Sequence, residues 1–427
     1  MPGRSVLLVA QLSPPSPVVA ARRTAGIAKY LARHGHRITV LTSNRSGHGA
    51  IEGADRVLRT PDLASTRLNW RAVPTTNTDL RERPTAAVYG LDLHAVPDIS
   101  IVTWLPFALP QAIRAARRLA LDCVITTSPP PSAHIIGAAL KQLGVRWIAD
   151  LRDGWTVDAP RPLFPLAAER RLNAMLERSL LQRADAVIGV ARSIVTDLRH
   201  RLGVDARLLP HGYDPEEREL SDARRTTGLL EVGRHSLVHT GRAWVSERTP
   251  ETLYAALRRM LASDRCIADR LEVVFAGPLS REEERELSDP ELRCIARWVG
   301  SLDRAEALAL QQEADSLLVI ASEPSERSVT NGKLFEYLTA GPPILVIGDR
   351  SESARIVAET GTGFAVPADS PQAIAAGINR LLSELPQRRL REAIERYSWE
   401  TLAVQASELI EEVCARPVRR SRAGGRR

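Results

Sequence analysis

Residues 323–349 read EPSERSVTNGKLFEYLTAGPPILVIGD, and three local signals divide them. Ser328 to Gly332 has the composition of a turn that leads into a helix. Lys333-Leu334-Phe335-Glu336-Tyr337-Leu338 is a short helix with one carboxylate. Gly341-Pro342-Pro343 stops it, and Ile344-Leu345-Val346-Ile347 is an apolar strand. A helix start carries unbonded N–H groups and partial positive charge. It suits a phosphate, and Lys333 in the first turn strengthens such a site. Glu336 follows three residues later, on roughly the same face. A carboxylate there is a poor phosphate ligand but a good acceptor for sugar hydroxyls, such as those of a ribose.

The chain before this stretch repeats one pattern. Val6 to Ala10 is a buried strand, Ala20 to His34 a helix closed by Gly35, and Ile38 to Leu41 a second strand. That is a βαβ unit, and it predicts a parallel sheet. The dinucleotide-binding glycine fingerprint is absent; the loop after the first strand carries Pro14, Pro15 and Ser16, then Arg22 and Arg23. A helix over Leu105 to Ala120 and a strand over Cys123 to Thr127 follow. Ser128-Pro129-Pro130-Pro131-Ser132-Ala133-His134 then opens another helix, for which Pro131 and Ser132 are suitable starting residues. His134 falls in its first turn, beyond the carboxyl end of a parallel strand, where ligands sit in such folds. The strand from Trp147 leaves through Asp150-Leu151-Arg152-Asp153-Gly154-Trp155. Charges at a strand end must be paired if buried. They form either an Asp–Arg pair that fixes the loop or a carboxylate, Asp153, offered to a substrate. A basic amphipathic helix is expected over 165–183, and strands over Ala184 to Val190 and Ala206 to Leu209. Residues 44–98 are polar and least readable, with one short strand expected at Ala86 to Leu91. A loop of that length points to a binding role.

A second run of the pattern starts at Leu237 to Gly241. Gly241, Arg242 and Arg248 flank the following loop, where Thr249-Pro250 starts a helix. Two arginines beside a strand end and a helix start can hold a diphosphate. Strands follow at Leu271 to Ala276, Ile295 to Val299 and Asp315 to Ile320, and a final helix runs to Val413.

The 427 residues suffice for two domains. With 44% hydrophobic and 26% charged residues, the composition is that of an ordinary globular protein. The net charge is +7, and six of the thirteen residues 415–427 are Arg. The four cysteines have neither metal-ligand nor disulfide-framework spacing. No 18-residue apolar run suggests a membrane span. Ser5 to Ala10 is too short for a signal-peptide core.

The 331–345 segment resembles the donor-site signature of retaining nucleotide-sugar glycosyltransferases of the GT-B type, in the family 4 group. Pro210-His211-Gly212-Tyr213-Asp214 is similar to that family's Pro-Asn-Gly-x-Asp segment, and 150–155 to its Asp-x-Arg-Asp-x-Trp pattern. Thr360-Gly361-Thr362-Gly363-Phe364 resembles its late Gly-x-Gly turn. The family usually has an earlier Glu; Ser328, eight residues before Glu336, stands in its place, with Glu323 and Glu326 out of register.

The resemblance covers nearly all of the chain except 44–98 and the tail. It implies an α/β fold with two Rossmann-like domains facing each other across a cleft. Expected are a first, acceptor-side domain over 1–212 and a nucleotide-sugar domain over 235–395. A crossover helix over 396–414 would return to the first domain, and 415–427 would be a disordered basic tail. The implied donor set is Gly241, Arg242, Arg248, Gly300, Ser301, Leu302, Asn331, Gly332, Lys333, Leu334 and Glu336. The implied acceptor side is Arg22, His134, Arg152 and Asp153, with His134, Asp153 and Lys333 as the catalytic residues. The expected activity is sugar transfer with retention, to a glycan, a lipid-linked acceptor or a secondary metabolite. Neither a metal nor another cofactor is expected, because cations and helix N–H groups would hold the leaving diphosphate. The expected location is the cytoplasm, with room for contact with an anionic membrane face and no nucleic-acid partner. Two alternatives share the fold: a non-hydrolysing nucleotide-sugar epimerase, and a catalytically silent homologue that binds or regulates.

Overall fold

The computed structural model describes residues 3–16, 19–63, 95–156, 166–217, 227–243, 251–321, 332–383 and 389–417. They form two all-parallel sheets. The first holds β1 (Ser5–Val9), β2 (Arg37–Ser43), β3 (Ala54–Thr60), β4 (Cys123–Ser128), β5 (Arg146–Leu151), β6 (Ala186–Gly189) and β7 (Ala206–Leu208). Its order is β3-β2-β1-β4-β5-β6-β7. The second holds β8 (His235–Thr240), β9 (Leu271–Ala276), β10 (Ala296–Trp298), β11 (Ser316–Ile320), β12 (Ile344–Ile347) and β13 (Gly363–Val366), in the order β10-β9-β8-β11-β12-β13. Runs such as Val6-Leu7-Leu8-Val9 are apolar at every position because helices cover both faces of a parallel sheet. In each sheet the strand order reverses once, at β1/β4 and at β8/β11. The crevice beyond the strand ends at that reversal is where such folds place ligands.

Two elements differ from the sequence reading. Strand β3 lies inside the stretch read as irregular. Its residues ADRVLRT are three-sevenths charged and mostly half-exposed, as suits an edge strand, so no apolar run marks it. The strand expected at 86–91 falls outside the described residues. Strand β13 grows directly out of the Gly361 turn, pairing Gly363 with Ile344. A Cβ at Gly363 would lie 1.9 Å from the Ile344 carbonyl oxygen, so the pairing needs glycine there.

The helix Trp399–Ala415 begins at a Ser398 cap, where the Thr401 N–H donates to Ser398 Oγ at 3.1 Å. Its apolar side (Trp399, Leu402, Ala406, Leu409, Ile410, Val413) joins the core formed by Val6, Leu8, Ile27 and Leu31 of the first sheet's layer. A Cβ on Gly26 would come within 2.2 Å of the Trp399 ring, so the helix Val19–Arg33 and the last helix meet at a bare backbone. The chain passes between the two sheets near Tyr213 and again near Ser398. These crossings are bonded side by side: Tyr213 N donates to Tyr397 O at 3.0 Å, and Trp399 N to Tyr213 O at 2.9 Å.

Below this junction lies a buried ion pair. Arg23 donates to both Asp150 oxygens, at 2.9 and 2.7 Å, and to the carbonyls of Pro210 (2.9 Å) and Leu209 (3.0 Å). Its guanidinium lies 5.8 Å from the Trp399 ring centre. Burial alone would raise the Asp150 pKa, but the Arg23 charge and hydrogen bonds outweigh it and lower the net value.

Candidate active site

Among the described residues, the strand ends of the second sheet carry Gly241, Arg242, Gly300, Ser301 and Leu302 of the expected donor set, and the helix Gly332–Ala340 carries Gly332, Lys333, Leu334 and Glu336. Gly241, just past β8, has φ +83°, and Gly277, just past β9, has φ +142°. A Cβ on Gly277 would stand 2.6 Å from the Gly241 carbonyl oxygen, so the two loops can touch only with glycine at 277. Gly241 N donates to Ala276 O at 2.6 Å, and Gly277 N to Gly300 O at 2.8 Å. Gly241, Gly277 and Gly300 thus form a continuous floor of bare backbone, with Ser301 and Leu302 continuing from it.

Lys333 lies across this floor. It is in the first turn of the helix Gly332–Ala340, whose Leu334 and Phe335 anchor it in the core. Its Cε and Nζ are 3.6 Å from where a Gly241 Cβ would be. Nζ is 2.8 Å from His239 Nε2 and donates to Arg242 O at 2.8 Å. Burial drives the Lys333 pKa down to about 7, against the opposing pull of Glu283. The Arg242 side chain is exposed beside it. Arg248 and Asn331 lie outside the described residues, as does Ser328.

One turn on, Glu336 is 9% exposed and engaged on both oxygens. Oε1 meets Arg22 of the first domain. Oε2 pairs with Arg304 at 2.8 Å and accepts from Gln311 Nε2 at 3.2 Å. Arg304 also pairs with Glu217. Burial, together with the Arg304 charge and against the pull of Glu217, lowers the Arg22 pKa to about 10. Lys333 and Glu336 thus lie one turn apart on the same helix, and Arg22 of the first domain reaches Glu336. Sequence reasoning missed Arg304, Gln311 and His239. Arg304 and Gln311 lie one and eight residues past Asp303, which caps the helix Arg304–Glu313, so the strand-then-cap pattern there could have pointed to them.

The acceptor-side residues divide differently. His134 opens the helix Ala133–Gln142 but is 0% exposed, with ring centres of Trp147 and Trp155 at 6.3 and 5.8 Å. Its Nδ1 is 2.8 Å from Thr126 Oγ1, and burial lowers its pKa to about 4 against the pull of Asp150. It is a neutral, sealed ring in this conformation. Asp98, not Ser132, caps that helix: its carboxylate accepts from Ser132 N at 2.7 Å. Arg152 is nearly buried and clamps the proline turn, donating to Ser128 O at 3.0 Å and Pro129 O at 2.5 Å. Asp153 is half-buried and its charge acts on Arg152. The pair that fixes this strand end is Arg23 with Asp150, so the Arg partner comes from another helix. The His211 ring faces Phe335 edge-on at 6.0 Å and joins the two domains behind the cleft.

Comparison with known proteins agrees with this architecture. Residues 20–212 match the glycosyl transferase 4-like domain, and residues 234–384 match the glycosyl transferases group 1. No curated protein matches the sequence. Among solved structures, the sucrose-phosphate synthase of Thermosynechococcus elongatus superposes with a TM-score of 0.67 at 19% identity, covering 96% of this chain and 99% of that one. The trehalose-phosphate synthase of Burkholderia xenovorans, solved with glucose-6-phosphate, gives 0.66 at 12% identity over 96% and 100%. WaaG, a glycosyltransferase of lipopolysaccharide biosynthesis, gives 0.57 at 15% identity over 95% and 99%. At these identities the superpositions speak for the fold, and the two domain matches speak for the family: the chain is a GT-B protein and belongs to the group 1 glycosyltransferases.

Proposed function

We propose that this protein transfers a sugar from a nucleotide-sugar to an acceptor with retention of anomeric configuration. The observation that carries this reading is Lys333 and Glu336 on successive turns of one helix, above a floor of bare glycine backbone. A diphosphate fits the end where Lys333 and Arg242 supply positive charge, to which the sequence reading adds Arg248. Glu336 receives the ribose hydroxyls, which take the place of Arg22 as the donor enters. Gly300, Ser301 and Leu302 border the base. Asp153 and Arg22 face the acceptor, with Arg152 holding the proline turn beside Asp153, and residues 44–98 help select it. His134 serves this site only after the Trp147–Trp155 enclosure opens. The test is a screen of nucleotide-sugars for hydrolysis or transfer, with the anomeric configuration of the product read by NMR. Failure of every donor, or an inverted product, would reject the reading.

Ribose contacts bind ground and transition states about equally. Glu336→Ala is therefore expected to raise the donor KM by about tenfold, the worth of one charged hydrogen bond, with a smaller change in kcat. A kcat loss with unchanged KM would contradict the ribose assignment.

Positive side chains and backbone N–H groups take the place of a metal on the diphosphate in this scheme. Activity is expected to persist in excess chelator. Loss in chelator with recovery in magnesium or manganese would count against it.

The helix Ala167–Leu181 exposes Leu172 and Met175, with Leu166 just before it, at 48%, 67% and 54%. Arg170, Arg171 and Arg178 are exposed on the same element. Apolar side chains among arginines suit an anionic lipid face, as a lipid-linked acceptor would require. Co-sedimentation with phosphatidylserine vesicles is expected at low salt and weaker at physiological salt. No binding at either would remove the idea.

A further inference from the structure

His239 is the last-but-one residue of β8, a fully buried ring between the sheet and the cleft floor. Its Nδ1 is 2.9 Å from the carbonyl oxygen of Leu318 on β11. Its Nε2 is 2.8 Å from Lys333 Nζ and 2.9 Å from Arg242 O. Each ring nitrogen faces a carbonyl, so the ammonium decides: a cation that donates to Nε2 needs a lone pair there, and the ring proton belongs on Nδ1, facing Leu318. Nε2 is then a lone pair, and the Lys333 ammonium donates to it. Lys333 gives a second N–H to Arg242 O, at 2.8 Å. Burial, with the nearby Lys333 charge, lowers the ring pKa to about 3, so the ring is neutral throughout the working range. The neighbouring helix Arg281–Ser288 adds the buried carboxylate of Glu283, whose charge attracts Lys333.

We propose that His239 is a positioning residue for Lys333: its Nε2 lone pair fixes the ammonium over Gly241, where the donor diphosphate is bound. This rests on the diphosphate reading given above. Without this acceptor the lysine tip has one fixed partner, the Arg242 carbonyl, and loses its aim across the glycine floor. A side chain that merely fills the sheet would need only the Leu318 bond. The two roles separate because they use different ring nitrogens.

The experiment is calorimetric titration with UDP, GDP and ADP, using the tightest binder for the full-length variants. Lys333→Ala is expected to weaken binding by about tenfold or more, the worth of a hydrogen bond to a charged group. His239→Asn keeps a donor near Nδ1 for Leu318 but has no acceptor near Nε2, and is expected to weaken binding by a similar factor. His239→Gln places an acceptor near Nε2 and is expected to bind close to wild type. Adding His239→Asn to Lys333→Ala is expected to change nothing further. The reverse order of Asn and Gln, or additive losses in the double variant, would overturn the positioning role alone. Normal binding by Lys333→Ala would overturn the Lys333 contact to the diphosphate and this role with it, and binding of none of the three diphosphates would overturn the diphosphate reading itself.

Discussion

Lys333→Ala is expected to lower kcat by roughly 10²-fold or more, the usual cost of removing one donor that stabilises developing charge. The charge on the diphosphate grows as the bond to the sugar breaks. Contacts that strengthen in that step act on turnover and not only on binding. Lys333 is placed for this role by a rigid frame: Leu334 and Phe335 in the core, His239 and the Arg242 carbonyl at its tip. Its lowered pKa, about 7, adds a pH signature. The ammonium is present below that value and lost above it. Donor kcat/KM, which reports the free enzyme, should therefore fall as pH rises through about 7. Bound diphosphate favours the charged form, so kcat should hold to higher pH. Steady-state kinetics of wild type and variant from pH 6 to 9 measures both effects. A variant that turns over normally at saturating donor would leave the diphosphate to Arg242 and Arg248.

The second large effect concerns stability. Asp150→Ala leaves the Arg23 guanidinium buried without its carboxylate, at 1% exposure. Breaking a buried pair from one side costs about 3–5 kcal/mol. The cost should spread, because Arg23 also holds the Leu209 and Pro210 carbonyls and lies against Trp399. Replacing both partners by apolar groups, as in Arg23→Met with Asp150→Leu, should recover much of the loss, since no orphaned charge remains. Urea unfolding followed by circular dichroism gives the numbers. A loss below about 1 kcal/mol for Asp150→Ala would mean that water reaches the site and that the pair is less enclosed than its geometry indicates.

Strands were legible where both faces are buried. Val6 to Val9, Leu271 to Ala276 and Ile344 to Ile347 are apolar throughout, and only a covered parallel sheet asks for that. Edge strand β3 was not legible, because half-exposure permits charge. The Lys333–Glu336 spacing was readable because a helix turn is local. The partners of Glu336 were not: Arg22 arrives from the first helix of the chain and Arg304 from the helix before β11. His134 shows the same limit. Its place at a helix start is a local fact, but the indoles that seal it come from β5 and the loop beyond it. Asp150 and Asp153 look alike in sequence. The register of β5 sends the first inward to Arg23 and leaves the second half-buried.

The return of the last helix to the first sheet has a consequence for how the chain is made. The face that Trp399, Leu402, Leu409 and Ile410 cover is built from residues near the start, such as Leu8 and Leu31. About 180 residues must be synthesised between the Tyr213 and Ser398 crossings, which at ribosomal rates takes on the order of 10–40 s. Throughout that interval the nascent first domain presents an uncovered apolar strip, while the second domain can already close on itself. A segment made after the second domain is therefore the one that completes the first, and an emerging chain stalled before Trp399 should be a holdase client.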